Sequence, residues 1–210
     1  MNVTKRIRLA ALAVAWLLLT LPSAYAGGGN VFPAAAQPHG YSLAAAAAAT
    51  AYFNEGPHTP DTLPAGFPIQ ILYVPPGETD TGTFHASTGT MFYVPLVYSD
   101  GNDAAAWPFP DVTDAQAVSN YYFDPQQLGA QTMEVTVDGK TTSLGPRYAV
   151  GAVTPGLPSG ANTYTVVAVL LGPLTKGIHT VSYRFELSGD FLDPFGGTFA
   201  GEATYTVIVH

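Results

Sequence analysis

The chain has no cysteine among its 210 residues. Disulfides therefore contribute nothing to its stability, even in an oxidising compartment. Cysteine hydrolases are excluded, and so is a lipid anchor on an N-terminal cysteine. A domain of this sequence must be stabilised by its apolar core.

Charged residues are also scarce, and basic ones are the scarcest. Only 10% of residues are charged, and 7 Lys and Arg stand against 15 Asp and Glu, a net charge of -8. Three of the basic residues are Lys5, Arg6 and Arg8, so four remain in the rest of the chain. This acidic balance argues against nucleic acid or anionic lipid as a partner.

The long apolar run lies at the N-terminus. Leu9–Leu19 follows the basic residues and is shorter than the roughly 20 residues that cross a bilayer. Pro22 interrupts it, and Ala24–Ala26 has the small-x-small pattern of a cleavage site. We therefore predict a signal peptide over residues 1–26, a secreted or periplasmic protein, and no membrane span after cleavage. The alternative is a membrane anchor.

Turn-forming and apolar residues are abundant in the remainder, with 22 Gly, 18 Pro and a hydrophobic fraction of 47%. Residues 27–41 are predicted to form an extended leader, and residues 42–210 a single domain. Its first element is an alanine-rich run, Leu43–Phe53, with Ser42 placed as N-cap and Gly56 as terminator. This run is predicted to be a helix, and a low-complexity tether is the alternative.

Most of the domain is predicted to be strands. Ile178–Leu187 alternates strictly between apolar and polar residues, which is typical of a strand with one face in a core. Thr163–Leu171 is apolar on both faces and should lie centrally. The predicted strands cover residues 68–74, 83–87, 90–98, 132–137, 141–144, 147–153, 163–171, 178–187 and 202–209.

Two hairpins follow from the turns between these strands. Thr88-Gly89 is predicted to join strands 83–87 and 90–98, and Asp138-Gly139 to join strands 132–137 and 141–144. The fold class is therefore all-β, a two-sheet antiparallel β-sandwich, immunoglobulin-like or jelly-roll-like. One or two short helices accompany it, the second beginning near Thr113.

Catalytic motifs are missing. The sequence has no Gly-x-Ser-x-Gly, Ser-x-x-Lys, His-x-His or His-Glu-x-x-His pattern. The sequence therefore favours a non-catalytic protein without a cofactor, and it indicates no oligomeric state.

His179 lies in register with the apolar face of its strand, after a Leu-x-x-Gly turn. A tyrosine in such a corner often bonds back to the backbone of a β-sandwich. We predict that His179 is a structural latch of this kind, and a general base is the alternative.

One loop carries oxygen ligands suited to calcium. Asp100, Asn102 and Asp103 fall within four positions, and Ca²⁺ is bound by such side chains. The rest of an EF-hand loop is absent, so an Asx turn at a loop tip is the alternative.

Aromatic residues cluster around a second loop. Trp107 and Phe109 alternate with prolines, and Tyr121 and Tyr122 end the second helix. Aromatic faces presented from loops bind sugars in many exported sandwiches. These four residues are the predicted ligand-binding set, and a small satellite core at one end of the sandwich is the alternative.

Three segments together resemble a group of exported bacterial proteins of unestablished function. They are Gly89–Leu96, Val135–Gly139 and Leu170–Thr180, the last with the pattern Leu-Leu-x-Pro-Leu-x-x-Gly-x-His-Thr. The resemblance implies an exported β-sandwich and no catalytic residues. This chain departs from that group by having no Trp in its helix and no Cys in its middle.

The sequence thus favours an exported binding or structural module whose ligand class is a glycan or another surface polymer. The alternative is an exported, glycosidase-like hydrolase. Such enzymes need two carboxylates, and dispersed residues such as Asp111, Asp114 and Asp124 could supply them.

Overall fold

The computed structural model of the chain describes residues 30–56, 58, 62–102 and 108–210. The predicted signal peptide lies outside these residues. The helices are α1 (Leu43–Glu55) and α2 (Ala115–Phe123), and the strands are β1 (Ile69–Ile71), β2 (Thr81–Ala86), β3 (Met91–Asp100), β4 (Ala130–Val137), β5 (Lys140–Ser143), β6 (Ala149–Val153), β7 (Thr163–Leu171), β8 (Gly177–Leu187) and β9 (Phe199–Val209). Within the described ranges, no helix has the length and apolarity needed to cross a membrane.

The strands form two sheets that pack face to face, as predicted. The first has four strands in the order β1-β3-β7-β6, and the second has five in the order β2-β9-β8-β4-β5. Immunoglobulin domains have one sheet ordered A-B-E-D and another built on C, F and G, which C′ can extend. Equating β3 with strand B reproduces the first order, and β9, β8, β4 and β5 then take the places of G, F, C and C′, with β2 added at the edge. The topology is therefore immunoglobulin-like rather than that of a jelly roll.

Two strand pairs depart from the predicted antiparallel arrangement. β1 pairs with β3 in parallel, and β2 pairs with β9 in parallel. The other strand pairs are antiparallel. The parallel pairs arise because the chain crosses from one sheet to the other after β1 and again after β2.

The predicted hairpin at Thr88-Gly89 is wrong. A turn is present there, with Gly89 at φ 91° and the Thr90 amide bonded to the Ser87 carbonyl at 3.1 Å. It leads from β2 in one sheet to β3 in the other. The error has a physical cause, since alternation reports which face of a strand is buried but not which strand lies beside it. The predicted Asp138-Gly139 hairpin, by contrast, joins β4 and β5.

Strand β7 is buried on both faces along Tyr164–Leu171. Val167, Val169 and Leu171 point into the core between the sheets. The alternate residues, among them Val166 and Ala168, belong to a second core on the outer side of the first sheet. Helix α1 covers that side, which explains why this strand is apolar throughout.

Helix α1 forms where the alanine-rich run predicts it and not a tether. The Ser42 hydroxyl accepts a hydrogen bond from the Ala45 amide at 3.1 Å, which is an N-cap. Ala46, Ala47 and Ala51 are fully buried, because their small side chains let the helix lie close to the sheet.

The described part of the leader also packs on the first sheet. Val31 is 2% exposed and forms an isolated bridge with Leu171. The Phe32 amide bonds to the Leu170 carbonyl at 2.9 Å. The leader therefore adds its own backbone contacts beside the end of β7.

A buried hydrogen bond ties α1 to β7 and gives a test of this packing. The Asn54 side-chain amide donates to the Tyr164 hydroxyl at 2.8 Å, and both residues are buried. Tyr164→Phe leaves that amide without its acceptor, so we expect a loss of about 1–3 kcal/mol in the free energy of unfolding. Denaturant unfolding measures it.

Tyr52→Phe is the matched control, because Tyr52 lies on the same helix with 46% of its surface exposed. It should leave the free energy of unfolding unchanged. Equal stability of the two variants would show that the Asn54–Tyr164 bond does not hold the helix to the sheet.

Candidate functional site

A groove of about 800 Å³ runs between α2 and the beginning of β6. One wall is a face of the helix, and the opposite wall is the turn that leads into the strand. The described residues that line it are Ala34, Ala35, Ala115, Gln116, Ser119, Asn120, Phe123, Asp124, Pro125, Pro146, Arg147, Ala149 and Val150. Its polar side chains are Gln116, Ser119, Asn120, Asp124 and Arg147.

Helix α2 is set in place by a cap and an apolar face. The Asp114 carboxylate accepts from the amides of Gln116 (2.8 Å) and Ala117 (3.3 Å), so Asp114 is the N-cap, one residue after the expected Thr113. Val118, Tyr121 and Tyr122 are buried in the core between the sheets. Because these three residues lie on one face of α2, the opposite face is free to line the groove.

An amide pair lies on the groove face of α2. The Gln116 Nε2 donates to the Asn120 Oδ1 at 2.7 Å, one helical turn along. This bond leaves the Gln116 carbonyl oxygen and the Asn120 amide nitrogen for other partners. Ser119 adds a hydroxyl, and the half-buried ring of Phe123 lies on the same face.

Arg147 provides the positive charge on the opposite wall. It lies in a short 3-10 turn, Pro146–Tyr148, and is exposed. The neighbouring Tyr148 hydroxyl donates to the Phe32 carbonyl at 3.1 Å, which fixes the turn against the leader. Among the described residues Arg147 forms no ion pair, whereas Arg184 is bonded to Glu134 at 2.8 Å.

The groove as a whole offers donors, acceptors, one cation and an aromatic edge along an open channel. Amide and hydroxyl side chains both donate and accept hydrogen bonds. These groups can bind the hydroxyls of a polar ligand, and the rest of the lining, which is mostly apolar, can pack against its carbon atoms.

The predicted aromatic set is divided by the structure. Tyr121 and Tyr122 have no exposed surface, and their hydroxyls bond to Ser99 (3.1 Å) and Thr165 (3.0 Å). They border a cleft of about 430 Å³ at the end of the sandwich, yet they present no open face to a ligand. For these two tyrosines the satellite-core alternative describes the structure, because their rings complete the core under α2.

The other two predicted aromatics have different positions. Phe109 is half-buried and packs edge-on against Tyr121, with ring centroids 5.7 Å apart. Trp107 lies outside the described residues. A ligand contact by either one stays a prediction.

The predicted calcium loop contains an Asx turn. The buried Asp100 accepts from the Asn102 amide at 2.8 Å, and the Asn102 side chain donates to the Ser159 carbonyl. Asp103 lies outside the described residues. Elsewhere in the described chain no three His, Cys, Asp or Glu side chains converge as metal ligands.

The three carboxylates of the hydrolase alternative each stabilise a local turn. Asp111 accepts from both the amide and the hydroxyl of Thr113, and these bonds lower its pKa. Asp114 caps α2, and Asp124 accepts from the Gln126 amide at 2.9 Å. The lowered pKa makes Asp111 unsuited to be a general acid, which must hold its proton near neutral pH.

His179 lies at the start of β8, the position of the tyrosine corner in immunoglobulin-like domains. Its Nε2 faces the Thr175 carbonyl at 2.8 Å, and its Nδ1 faces the Asp138 carboxylate at 2.7 Å. Asp138 also accepts from the Thr180 amide at 3.0 Å. The ring thus contacts the backbone as a latch would, and in addition it contacts the β4–β5 turn, which the sequence did not suggest.

Both nitrogens of His179 face oxygen acceptors, an arrangement that favours the doubly protonated ring. The hydrogen bond to Asp138 raises the pKa of His179 by more than partial burial lowers it. Burial by itself would raise the pKa of Asp138. The hydrogen bonds from His179 and Thr180 outweigh that effect, and the pKa falls below its usual value.

Sequence reasoning did not find the groove residues Gln116, Asn120 and Arg147. The only available signal was the spacing on α2, where apolar residues at 118, 121 and 122 leave polar residues on the opposite face. Arg147 lies 27 positions after Asn120. Arg147 lies near α2 because of the order of the strands in the sheet, which the local sequence does not reveal.

Known proteins add little to this description. No protein-family model and no curated protein matches the sequence. Among solved structures, the cysteine protease inhibitor EhICP2 from Entamoeba histolytica aligns with a TM-score of 0.32 at 16% identity, covering 68% of this chain and 96% of that chain. That score is too low to assign a function to this chain.

The His179–Asp138 contact should make stability depend on pH. Because folding raises its pKa, His179 contributes to the free energy of unfolding in full below about pH 6.5. This contribution is lost as pH rises through the pKa of the folded state. Because folding lowers its pKa, Asp138 contributes in full above about pH 4, and this contribution is lost as the solution becomes more acidic. His179→Ala should therefore cost most between these values, about 1–2 kcal/mol, with a declining cost both above and below them.

Chemical denaturation from pH 3 to 9 measures this difference. His39→Asn is the control, because His39 is exposed and adopts φ 52°, which asparagine tolerates. A cost of His179→Ala that does not change with pH would contradict the charged contact. No cost at all would contradict the latch.

Proposed function

We propose that this chain is an exported, non-catalytic binding module that recognises a glycan in the groove between α2 and β6. The observation that carries the proposal is the Gln116–Asn120 amide pair, which lines the same open groove as Arg147. The predicted signal peptide supports export.

The amide pair suits the hydroxyl groups of a sugar. With one bond made between the two side chains, Gln116 retains a carbonyl acceptor and Asn120 retains an N–H donor. Neighbouring hydroxyls on a sugar ring can donate to the first and accept from the second. Because the pair is already bonded, little side-chain freedom is lost on binding.

Phe123 and Arg147 complete the match. A partly exposed aromatic ring packs against the C–H face of a sugar, and a guanidinium donates to its oxygens in a forked geometry. The groove's volume of about 800 Å³ admits more than a single sugar, which is consistent with a surface polymer.

A hydrolase is less well supported. Glycosidases use two carboxylates that flank the scissile bond. Asp124 is the one carboxylate among the described residues that line the groove, and it is engaged with the Gln126 amide. The groove therefore has binding groups without a catalytic pair.

A glycan array probed with the chain from residue 27 onward tests the proposal. Calorimetry then measures affinity for the best array ligand. Arg147→Ala and Asn120→Ala should each weaken binding about 10-fold or more, since a charged or well-placed hydrogen bond contributes about 1.5 kcal/mol or more.

Lys176→Ala is the matched control for Arg147→Ala, because it removes an exposed positive charge from the corner before β8, outside the groove. The Lys176→Ala variant should bind the array ligand with the same affinity as the unchanged chain. Absence of any array ligand, or binding indifferent to both groove variants, would contradict the proposal. Release of reducing ends from a bound glycan would contradict its non-catalytic part.

A further inference from the structure

Two histidines meet at an edge of the second sheet. His85 lies on the edge strand β2, and His210 follows the end of β9, its parallel partner. The His210 amide bonds to the Ala86 carbonyl at 3.0 Å, which continues the strand pairing to this residue. Both imidazoles are exposed, and the two residues are 125 positions apart.

The rings face each other through nitrogen atoms. The Nδ1 of His85 and the Nε2 of His210 are 3.0 Å apart, and the ring planes differ by only 4°. One proton between them makes a hydrogen bond, and a second would bring two positive charges together. Imidazole nitrogens without a proton are ligands for divalent transition metals.

The spacing of the nitrogens is close to that of two ligands on one metal ion. At a metal–nitrogen distance of about 2.0–2.1 Å, two tetrahedral ligands lie roughly 3.3–3.4 Å apart and two ligands at a right angle roughly 2.8–3.0 Å apart. The observed 3.0 Å lies near both values, so one ion can reach both nitrogens once the rings turn. For a given set of nitrogen ligands, Cu²⁺ binds more tightly than Zn²⁺.

We propose that His85 and His210 form a surface site for a divalent transition metal, with Cu²⁺ preferred over Zn²⁺. The exposed rings rotate so that both lone pairs point to one ion, which takes the place of the shared proton. In the described chain no third His, Cys, Asp or Glu side chain joins the pair, so water fills the other positions. The proposed glycan groove uses neither histidine.

Copper titration of the tag-free chain, followed by electron paramagnetic resonance and calorimetry, tests the site. One equivalent of Cu²⁺ should give a tetragonal signal with coupling to two imidazole nitrogens. Zn²⁺ should bind more weakly. His85→Gln should lower the copper affinity about 10-fold or more and leave coupling to at most one nitrogen, since one ligand is lost.

His39→Asn is the matched control, because it removes an exposed imidazole elsewhere and should leave both readouts unchanged. His210→Gln should repeat the effect of His85→Gln. Unfolding in the absence of metal shows whether each variant is folded. Unchanged copper affinity in folded His85→Gln overturns the site, and so does equal loss in His39→Asn.

Discussion

The burial of β7 on both faces is the constraint on which the rest of the structure depends. Tyr164–Leu171 is apolar on each side, and neither side can be left in water without losing the hydrophobic free energy of the strand. The second sheet covers one side and α1 covers the other. The molecule therefore has three layers where a simple sandwich has two, and the alanines of α1 follow from the close approach that the outer layer needs.

The groove is a consequence of the same arrangement. β6 is the neighbour of β7 at the edge of the first sheet, so the turn before it carries Arg147 to that edge. Helix α2 uses its apolar face to close the core between the sheets, and its polar face is left beside the turn. The walls of the groove are thus a by-product of core packing, but the amide pair on one wall is not needed for that packing.

Sequence patterns predicted what depends on local chemistry. The alternation of β8, the doubly apolar β7, the cap at Ser42 and the Asp138-Gly139 turn all follow from neighbouring residues. Strand partners could not be predicted in this way, because the Thr88-Gly89 turn predicts a hairpin between β2 and β3, yet these strands lie in opposite sheets. For the same reason the sequence alone could not predict the groove or the His85–His210 pair, since each depends on which strand edges the topology brings together.

The distribution of positive charge bears on what the groove can bind. The described part of the chain has four basic residues, Lys140, Arg147, Lys176 and Arg184, against many acidic ones. Arg184 is neutralised by Glu134, and Lys140 lies beside Asp138 in the β4–β5 turn. Arg147 alone among them lines the groove. In so acidic a protein a strongly anionic polymer would be repelled from most of the surface, so a ligand that approaches Arg147 should be neutral or carry only sparse negative charge.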